Sequence, residues 1–203
     1  MTKTKSSMLY GQLKKEILGM KYDLGQAISE QEIAMRYGVS KTPVREALSA
    51  LVQEGYLVKY PHRGYFLKEI RLEEYYQIVQ LRFILESGIM RHIIASCTDE
   101  EIDSLKSAAT ETYVLYEDYD LVNQGFHMAM AGLTRNKYIC DSLQHVFELS
   151  GRKIAHEYFK TIQHDVHRDH RVIIDTLRAR DTNRVIELLR QELRRCDDPG
   201  SWL

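Results

Sequence analysis

The most constraining feature of this sequence is a short helical segment over residues 40–55, with the sequence SKTPVREALSALVQEG. Ser40 suits the N-cap position, where its hydroxyl can accept a backbone N–H of the first turn, and Pro43 suits that turn because its missing N–H costs little. Apolar residues then recur at helical spacing, and Gly55 predicts the end of the helix. A short helix with cationic and hydroxyl side chains at its start is suited to the DNA major groove.

The residues on either side of this segment complete a winged helix-turn-helix pattern. Ser29 and Glu32 have the spacing of a capping box, which predicts a preceding helix, and Gly38 marks the turn after it. Residues 56–68 predict two short strands around a turn, because Pro61 and a glycine interrupt two apolar and aromatic runs. These strands would form the wing.

The candidate DNA contacts lie at the start of the predicted recognition helix, in the helix before it and at the wing tip. Arg45 can offer two parallel donors to O6 and N7 of a guanine. Lys41 and Thr42 are candidates for contact with bases or phosphates. The remaining candidates, at positions suited to the backbone or the minor groove, are Gln31, Ser40, His62, Arg63 and Gly64.

This pattern resembles the GntR family of bacterial transcription regulators. The matching residues are Ser29 with Glu32, then GVSKTPVREAL over residues 38–48 and RGYF over residues 63–66. The resemblance covers residues 8–68 and implies a winged helix that binds double-stranded DNA. The family more often has arginine where this chain has Lys41, and a lysine lacks the bidentate fork of arginine.

Charge and composition agree with a DNA-binding first half. Residues 1–70 hold 11 Lys/Arg and 7 Asp/Glu, a net charge of +4, whereas the remainder holds 17 and 22, a net charge of −5. The first half is therefore the part suited to phosphates. No apolar run reaches membrane-spanning length and the N-terminus leads into no apolar signal core, so we expect a cytoplasmic protein.

The second half predicts an all-α bundle, which makes the whole chain mainly α. Six helices are expected, at about 72–97, 98–116, 118–133, 136–160, 164–179 and 181–196. We place the domain boundary near residue 70. This gives a winged helix-turn-helix DNA-binding domain over residues 1–70 and an effector-binding and dimerisation domain over residues 71–203.

This half resembles the ligand-sensing FCD domain of the FadR-type branch of the same family, and its six helices resemble the VanR-like subgroup. The resemblance rests on LRFILE at 81–86, on NQGFH at 123–127 followed by Asn136, and on HRVIIDTL at 170–177 with Asp181 beyond it. It implies a domain that commonly holds a divalent metal through one aspartate and three histidines.

The resemblance places the metal ligands at Asn123, His127, His170 and Glu192. Asn123 stands in place of the family aspartate, and Glu192 stands in place of the last family histidine. Two imidazoles, one carboxylate and one amide oxygen suit Zn²⁺, Ni²⁺ or Mn²⁺, with weaker binding than three imidazoles and a carboxylate give. The alternative is that both histidines are hydrogen-bonded core residues without a metal.

A cation in an enclosed pocket attracts carboxylates, so the expected effector is a small organic acid. Arg82 is a candidate for pairing with that acid, and an intrahelical contact with Glu86 four residues later is the alternative. His156 and Tyr113 are further candidates for the pocket wall, and ordinary core packing is the alternative for the tyrosine.

Together these features predict a bacterial transcription regulator, most simply a repressor, that binds an inverted-repeat operator as a homodimer. One alternative is a ligand-insensitive DNA-binding dimer. Another is a metal-dependent hydrolase. The hydrolase is disfavoured because the chain has no H-E-x-x-H motif, no nucleophile elbow and no Gly-rich phosphate loop.

Overall fold

The computed structural model describes residues 4–19, 21–110, 117–157 and 166–195. The chain divides into two compact units, Met1–Arg71 and Leu72–Leu203. The elements of the first unit are α1 (Lys5–Leu18), α2 (Glu30–Tyr37), α3 (Lys41–Gln53), β1 (Leu57–Tyr60) and β2 (Gly64–Leu67). Those of the second unit are α4 (Leu72–Ser96), α5 (Asp99–Ser104), a 3₁₀ helix (Ala108–Thr110), α6 (Glu117–Leu133), α7 (Lys137–Glu157), α8 (Val166–Arg178) and α9 (Thr182–Arg195).

The helix-turn-helix begins with a well-capped α2. The hydroxyl of Ser29 accepts hydrogen bonds from the backbone N–H groups of Gln31 and Glu32, which confirms the predicted N-cap. Gly38 ends the helix at φ 63°, in the left-handed region that glycine adopts without strain. The chain can therefore turn directly from α2 into α3.

The start of α3 differs from the prediction in one respect. Ser40 occupies the N-cap position, but within the described part of the chain its hydroxyl makes no capping hydrogen bond. An N-cap hydroxyl accepts from the second or third helical residue, and the third residue here is Pro43, which has no N–H. The predicted role of the Ser40 hydroxyl is therefore wrong, and Ser40 starts the helix through its extended backbone alone.

Glu16, near the end of α1, ties this helix to α2 from an almost buried position. Its carboxylate accepts hydrogen bonds from the hydroxyls of Tyr22 and Tyr37, each over 2.8 Å. It also pairs with Lys21 and, over 3.2 Å, with Arg36. Burial alone would raise the pKa of Glu16, but these donors outweigh burial and hold the pKa below its ordinary value.

The core of the first unit forms where α1 packs on α3. Its fully buried side chains include Leu13, Leu48, Leu51 and Tyr56. Each such aliphatic side chain contributes about 1.5–3 kcal/mol through burial. The apolar positions predicted on the recognition helix therefore face inward, and the helix presents its polar side to solvent.

The wing is a two-stranded hairpin. β1 and β2 pair antiparallel, with Leu57 opposite Leu67. The turn between them has φ 60° at His62 and φ 96° at Gly64. A Cβ at Gly64 would lie 3.3 Å from the carbonyl oxygen of Ile28, so both the backbone conformation and the space favour glycine there.

The second unit is built on α4, which is 25 residues long and packs against α6, α7 and α9. Fully buried side chains from several helices form its core, including Met90, Ile93, Phe126, Met130, Leu143, Leu177 and Leu189. The described residues of this unit form six α-helices and no strand, which confirms the predicted all-α class. Among the described residues, no helix combines the length and apolarity needed to cross a membrane.

The helix predicted over residues 98–116 is much shorter than expected. Thr98 starts it with the predicted capping box, but α5 ends at Ser104, and turns and the 3₁₀ helix follow. The hydroxyls of Ser104 and Ser107 each donate to a backbone carbonyl three residues earlier. Residues 111–116 lie outside the described part of the chain.

Candidate DNA-binding surface and buried charge cluster

The side chains predicted to contact DNA lie at the surface of the first unit. Those that are exposed are Gln31, Ser40, Lys41, Thr42, Arg45, His62 and Arg63. Gly64 is half-buried beneath the wing turn. The seven side chains are therefore accessible to a duplex from solvent, and their individual contacts with DNA stay predictions.

Arg45 is held by a glutamate from the neighbouring helix. Its Nε donates to Oε1 of Glu30 over 3.2 Å, and its Nη2 donates to Oε2 over 3.0 Å. The hydroxyl of Tyr65 on β2 also donates to Oε1 of Glu30, over 3.2 Å. The hydrogen bond from Arg45, only partly opposed by burial, holds the pKa of Glu30 below its ordinary value.

Sequence analysis did not identify Glu30 as a site residue. It is the first residue of α2, where an acidic side chain is explained equally well by the helix dipole. Its partner Arg45 lies 15 residues away on another helix, so no spacing within one helix links the two. Only the packing of α2 beside α3 brings them together.

In the second unit, the four predicted metal ligands come together in the core. His127 and Asn123 lie on α6, His170 lies on α8 and Glu192 lies on α9. Nε2 of His127 is 2.9 Å from Oε1 of Glu192, and Nε2 of His170 is 3.1 Å from Oδ1 of Asn123. Both imidazoles are buried. The structure thus assembles the set that the resemblance implied.

Arg82 joins the same cluster from α4. It pairs with Glu86 four residues later and also reaches Oε1 of Glu192 over 3.2 Å. Its guanidinium carbon lies 4.3 Å from the ring centroid of Phe147, a cation–π contact in a site shielded from water. Arg82 therefore makes the expected intrahelical contact and faces the candidate effector site as well.

Glu86 is the second functional residue that sequence analysis missed. Its Oε2 lies 2.6 Å from Nδ1 of His127, and both side chains are almost completely buried. Glu86 lies in the 81–86 motif, where its sequence spacing indicates only a helical partner of Arg82. A carboxylate that pairs with one nitrogen of an imidazole fixes the orientation of the ring, so that the other nitrogen points toward the site.

The charged groups of the cluster stabilise one another. Burial disfavours the imidazolium of His127, but the carboxylates of Glu192 and Glu86 outweigh burial and raise its pKa to about 9. Burial would raise the pKa of both carboxyls, and the charges of His127 and Arg82 instead hold those pKa values below the ordinary range. Two cations therefore face two anions inside the bundle.

The donor types suit a divalent metal once His127 has released its extra proton, because only a neutral imidazole can bind a metal. One ligand atom from each of His127, His170 and Glu192 lies within 4.8 Å of the other two. Ligands about 2.1 Å from one ion are about 3.0–3.4 Å from each other. The His127–Glu192 and His170–Asn123 separations of 2.9 and 3.1 Å are close to that spacing. Imidazole and carboxylate ligands suit Zn²⁺, Ni²⁺ and Mn²⁺.

Two predicted effector contacts cannot be placed beside this cluster. Tyr113 lies outside the described residues. His156 belongs to α7, but its side chain is outside the described part of the structure. Both stay predictions.

Comparison with known proteins connects both units to one family. The model described as "Bacterial regulatory proteins, gntR family" matches residues 5–67, and the FCD domain model matches residues 77–195. The HTH-type transcriptional regulator YdhC of Bacillus subtilis is 29% identical over 146 residues, which are 69% of this chain and 65% of that protein. The transcriptional repressor GlaR of Escherichia coli K12 is 27% identical over 198 residues, which are 91% of this chain and 90% of that protein.

Solved structures show the same fold. A GntR transcriptional regulator from Rhodococcus sp. RHA1 has a TM-score of 0.78 and 21% identity over 94% of both chains. McbR/YncC of E. coli has a TM-score of 0.73 and 17% identity over 96% of this chain and 95% of that one. Because these domains and relatives are transcription regulators rather than enzymes, the hydrolase alternative is rejected. The chain belongs to the GntR family of bacterial transcription regulators, in the branch that carries an FCD domain.

Proposed function

We propose that this protein is a cytoplasmic repressor that binds an inverted-repeat operator as a homodimer and is controlled by a small carboxylate bound in the second unit. The observation that carries the effector part is the buried cluster of Arg82, His127 and Glu192, in which cationic side chains face a carboxylate inside a helical bundle. DNA binding belongs to the first unit, and effector binding and dimerisation belong to the second.

Dimeric binding follows from the size of one recognition helix. A single helix contacts too few base pairs for specific binding, and two half-sites related by a two-fold axis double the contacts. The repressor role is supported by relatives, since the E. coli proteins GlaR and RspR are both named transcriptional repressors. Effector control then follows from linkage: a ligand that prefers the weakly binding state lowers operator affinity.

The charge balance of the cluster limits how a carboxylate can bind. Glu192 already accepts from Arg82 and His127, so it occupies the position that suits the carboxylate of a ligand. An entering acid would either displace Glu192 or arrive at a metal held by Asn123, His127, His170 and Glu192. A bound Zn²⁺, Ni²⁺ or Mn²⁺ would supply positive charge for the acid.

The proposal that the second unit binds a divalent metal is tested by elemental analysis of gently purified, untagged protein. We expect about one divalent metal ion per chain, lost in His127→Ala and in His170→Ala. His92→Ala is the matched control, because His92 is exposed on α4. Metal-free wild-type protein that is folded would contradict metal binding and leave displacement of Glu192 as the mode of carboxylate recognition.

The effector part is tested with an operator recovered by selection from random duplexes. Release of that operator is measured by fluorescence anisotropy against a panel of short mono- and dicarboxylates. We expect at least one acid to lower operator affinity, and Arg82→Lys to weaken the response because lysine lacks the bidentate fork. Operator binding that no carboxylate alters would favour a ligand-insensitive dimer. Recovery of a single half-site bound by one protomer would contradict the dimer.

A further inference from the structure

We propose that Glu30 sets the base specificity of the recognition helix by positioning the guanidinium of Arg45. This inference rests on the proposed contact of Arg45 with a guanine. Glu30 does not touch the base in this scheme. It acts through the side chain that does.

The geometry of the ion pair leaves the base-reading edge of Arg45 available. A guanidinium has five N–H donors in a planar fork. Glu30 accepts from Nε and from one hydrogen of Nη2. The outer edge, with one donor on each terminal nitrogen, is not used by Glu30, and this parallel pair matches O6 and N7 of guanine. The Arg45 side chain is 60% exposed, so a duplex can approach it from solvent.

Glu30 is itself fixed. The hydroxyl of Tyr65 donates to its Oε1 over 3.2 Å, and Tyr65 is only 1% exposed. The backbone of Tyr65 is bridged in both directions to Ile28, two residues before Glu30, by N···O distances of 2.7 and 3.3 Å. A fixed carboxylate holds the arginine in one orientation before DNA arrives, which reduces the rotamer entropy lost on binding.

The charge of Glu30 also affects binding to DNA of any sequence. A carboxylate beside an exposed DNA-binding arginine repels phosphates and cancels part of the cationic charge that attracts them. Only a duplex with the right guanine gains the positioned contact. Glu30 therefore weakens binding to the wrong sequence and strengthens discrimination, two effects that a purely structural residue would not combine.

The test compares the full-length wild-type protein with its Glu30→Gln variant on two duplexes. The first is the selected operator. The second differs from it at one base pair, namely the one for which Arg45→Ala has lost its preference. We expect Glu30→Gln to reduce the affinity ratio of the two duplexes about 10-fold, a part of the discrimination that a bidentate contact supplies. We also expect its affinity for the changed duplex to rise.

Glu32→Gln is the matched control. Glu32 is exposed in the same first turn of α2, and this substitution removes the same negative charge as Glu30→Gln. It should raise affinity for both duplexes equally and leave their ratio unchanged. Glu30→Asp separates charge from reach. Its shorter side chain keeps the negative charge but cannot hold the same bidentate pair, so the ratio should fall while affinity for the changed duplex stays the same.

Two results would overturn the inference in distinguishable ways. An unchanged ratio in Glu30→Gln, with a lowered ratio in Arg45→Ala, would remove the role of Glu30 and leave the Arg45 contact intact. No effect of Arg45→Ala at any base pair would remove both. Thermal unfolding of each variant excludes a loss of folded protein as the cause.

Discussion

Two arginine–glutamate pairs occupy opposite environments in this protein. At the candidate DNA-binding surface, the side chains of Arg45 and Glu30 are 60% and 21% exposed, whereas those of Arg82 and Glu86 in the bundle are 5% and 1% exposed. Water can solvate either charge of the first pair, so that pair contributes little to the free energy of folding. Water does not reach the second pair, so each buried charge is stabilised only by the oppositely charged side chains around it.

This difference indicates how each pair can take part in binding. The exposed arginine can add a new partner, such as a base, at small cost. The buried arginine can respond to a ligand only by exchange, because any charge removed from the cluster must be replaced by another. The surface pair therefore suits rapid recognition of DNA, and the buried pair suits a switch with two well-defined states.

The largest effect that would separate the two pairs is loss of Arg82. Arg82→Met leaves Glu86 and Glu192 with the single positive charge of His127, and we expect the free energy of unfolding to fall by about 3 kcal/mol. Urea unfolding followed by circular dichroism measures it. Arg63→Met on the exposed wing tip is the control and should leave stability within error. Equal losses in the two variants would show that burial does not distinguish these arginines.

The converse change is Arg45→Ala. We expect operator affinity to fall about 10- to 100-fold, with relaxed preference at one base pair, because a bidentate base contact is lost. Urea unfolding of this variant should match wild type. Anisotropy titrations with the operator and its single-base variants give the measurement. An unchanged base preference would contradict the assigned role of Arg45.

A smaller effect comes from Glu16, an almost buried carboxylate surrounded by donors. Its pKa is lower in the folded chain, so its contribution to stability is complete above its ordinary pKa near 4.5 and is lost as pH falls through the folded value. We expect Glu16→Gln to flatten the acid-side dependence of unfolding free energy on pH. Tyr22→Phe removes one donor and should flatten it less. An unaltered acid slope in Glu16→Gln would contradict this account.

The winged helix could be predicted from sequence because its signals are local. Ser29 and Gly38 delimit α2 within a few residues, and the apolar spacing of α3 predicts its inner face. Ser40 shows the limit of this approach, since within the described residues it makes no capping hydrogen bond and Pro43 removes one of the two N–H groups that a capping hydroxyl can use. The early end of α5 has no such local signal, because Ser87 in α4 and Ser150 in α7 make the same kind of hydroxyl bond as Ser104 without ending their helices.

The partners that complete each site could not be predicted in this way. Glu30 meets Arg45, and Glu86 meets His127, only after helices distant in sequence have packed together. The family resemblance predicted Asn123, His127, His170 and Glu192 as one site, because their positions match those of the family ligands. The resemblance gave no information about the carboxylate of Glu86, which pairs with Arg82 and His127.

The bond network around Arg45 has a consequence for protein engineering. Its members come from three elements: the arginine from α3, the carboxylate of Glu30 from α2 and the hydroxyl of Tyr65 from β2. Transplanting the 13 residues of α3 into a related scaffold would therefore move the arginine without its support. If Glu30 positions Arg45 as proposed, a hybrid regulator that keeps the base preference of this protein needs all three segments from the same parent.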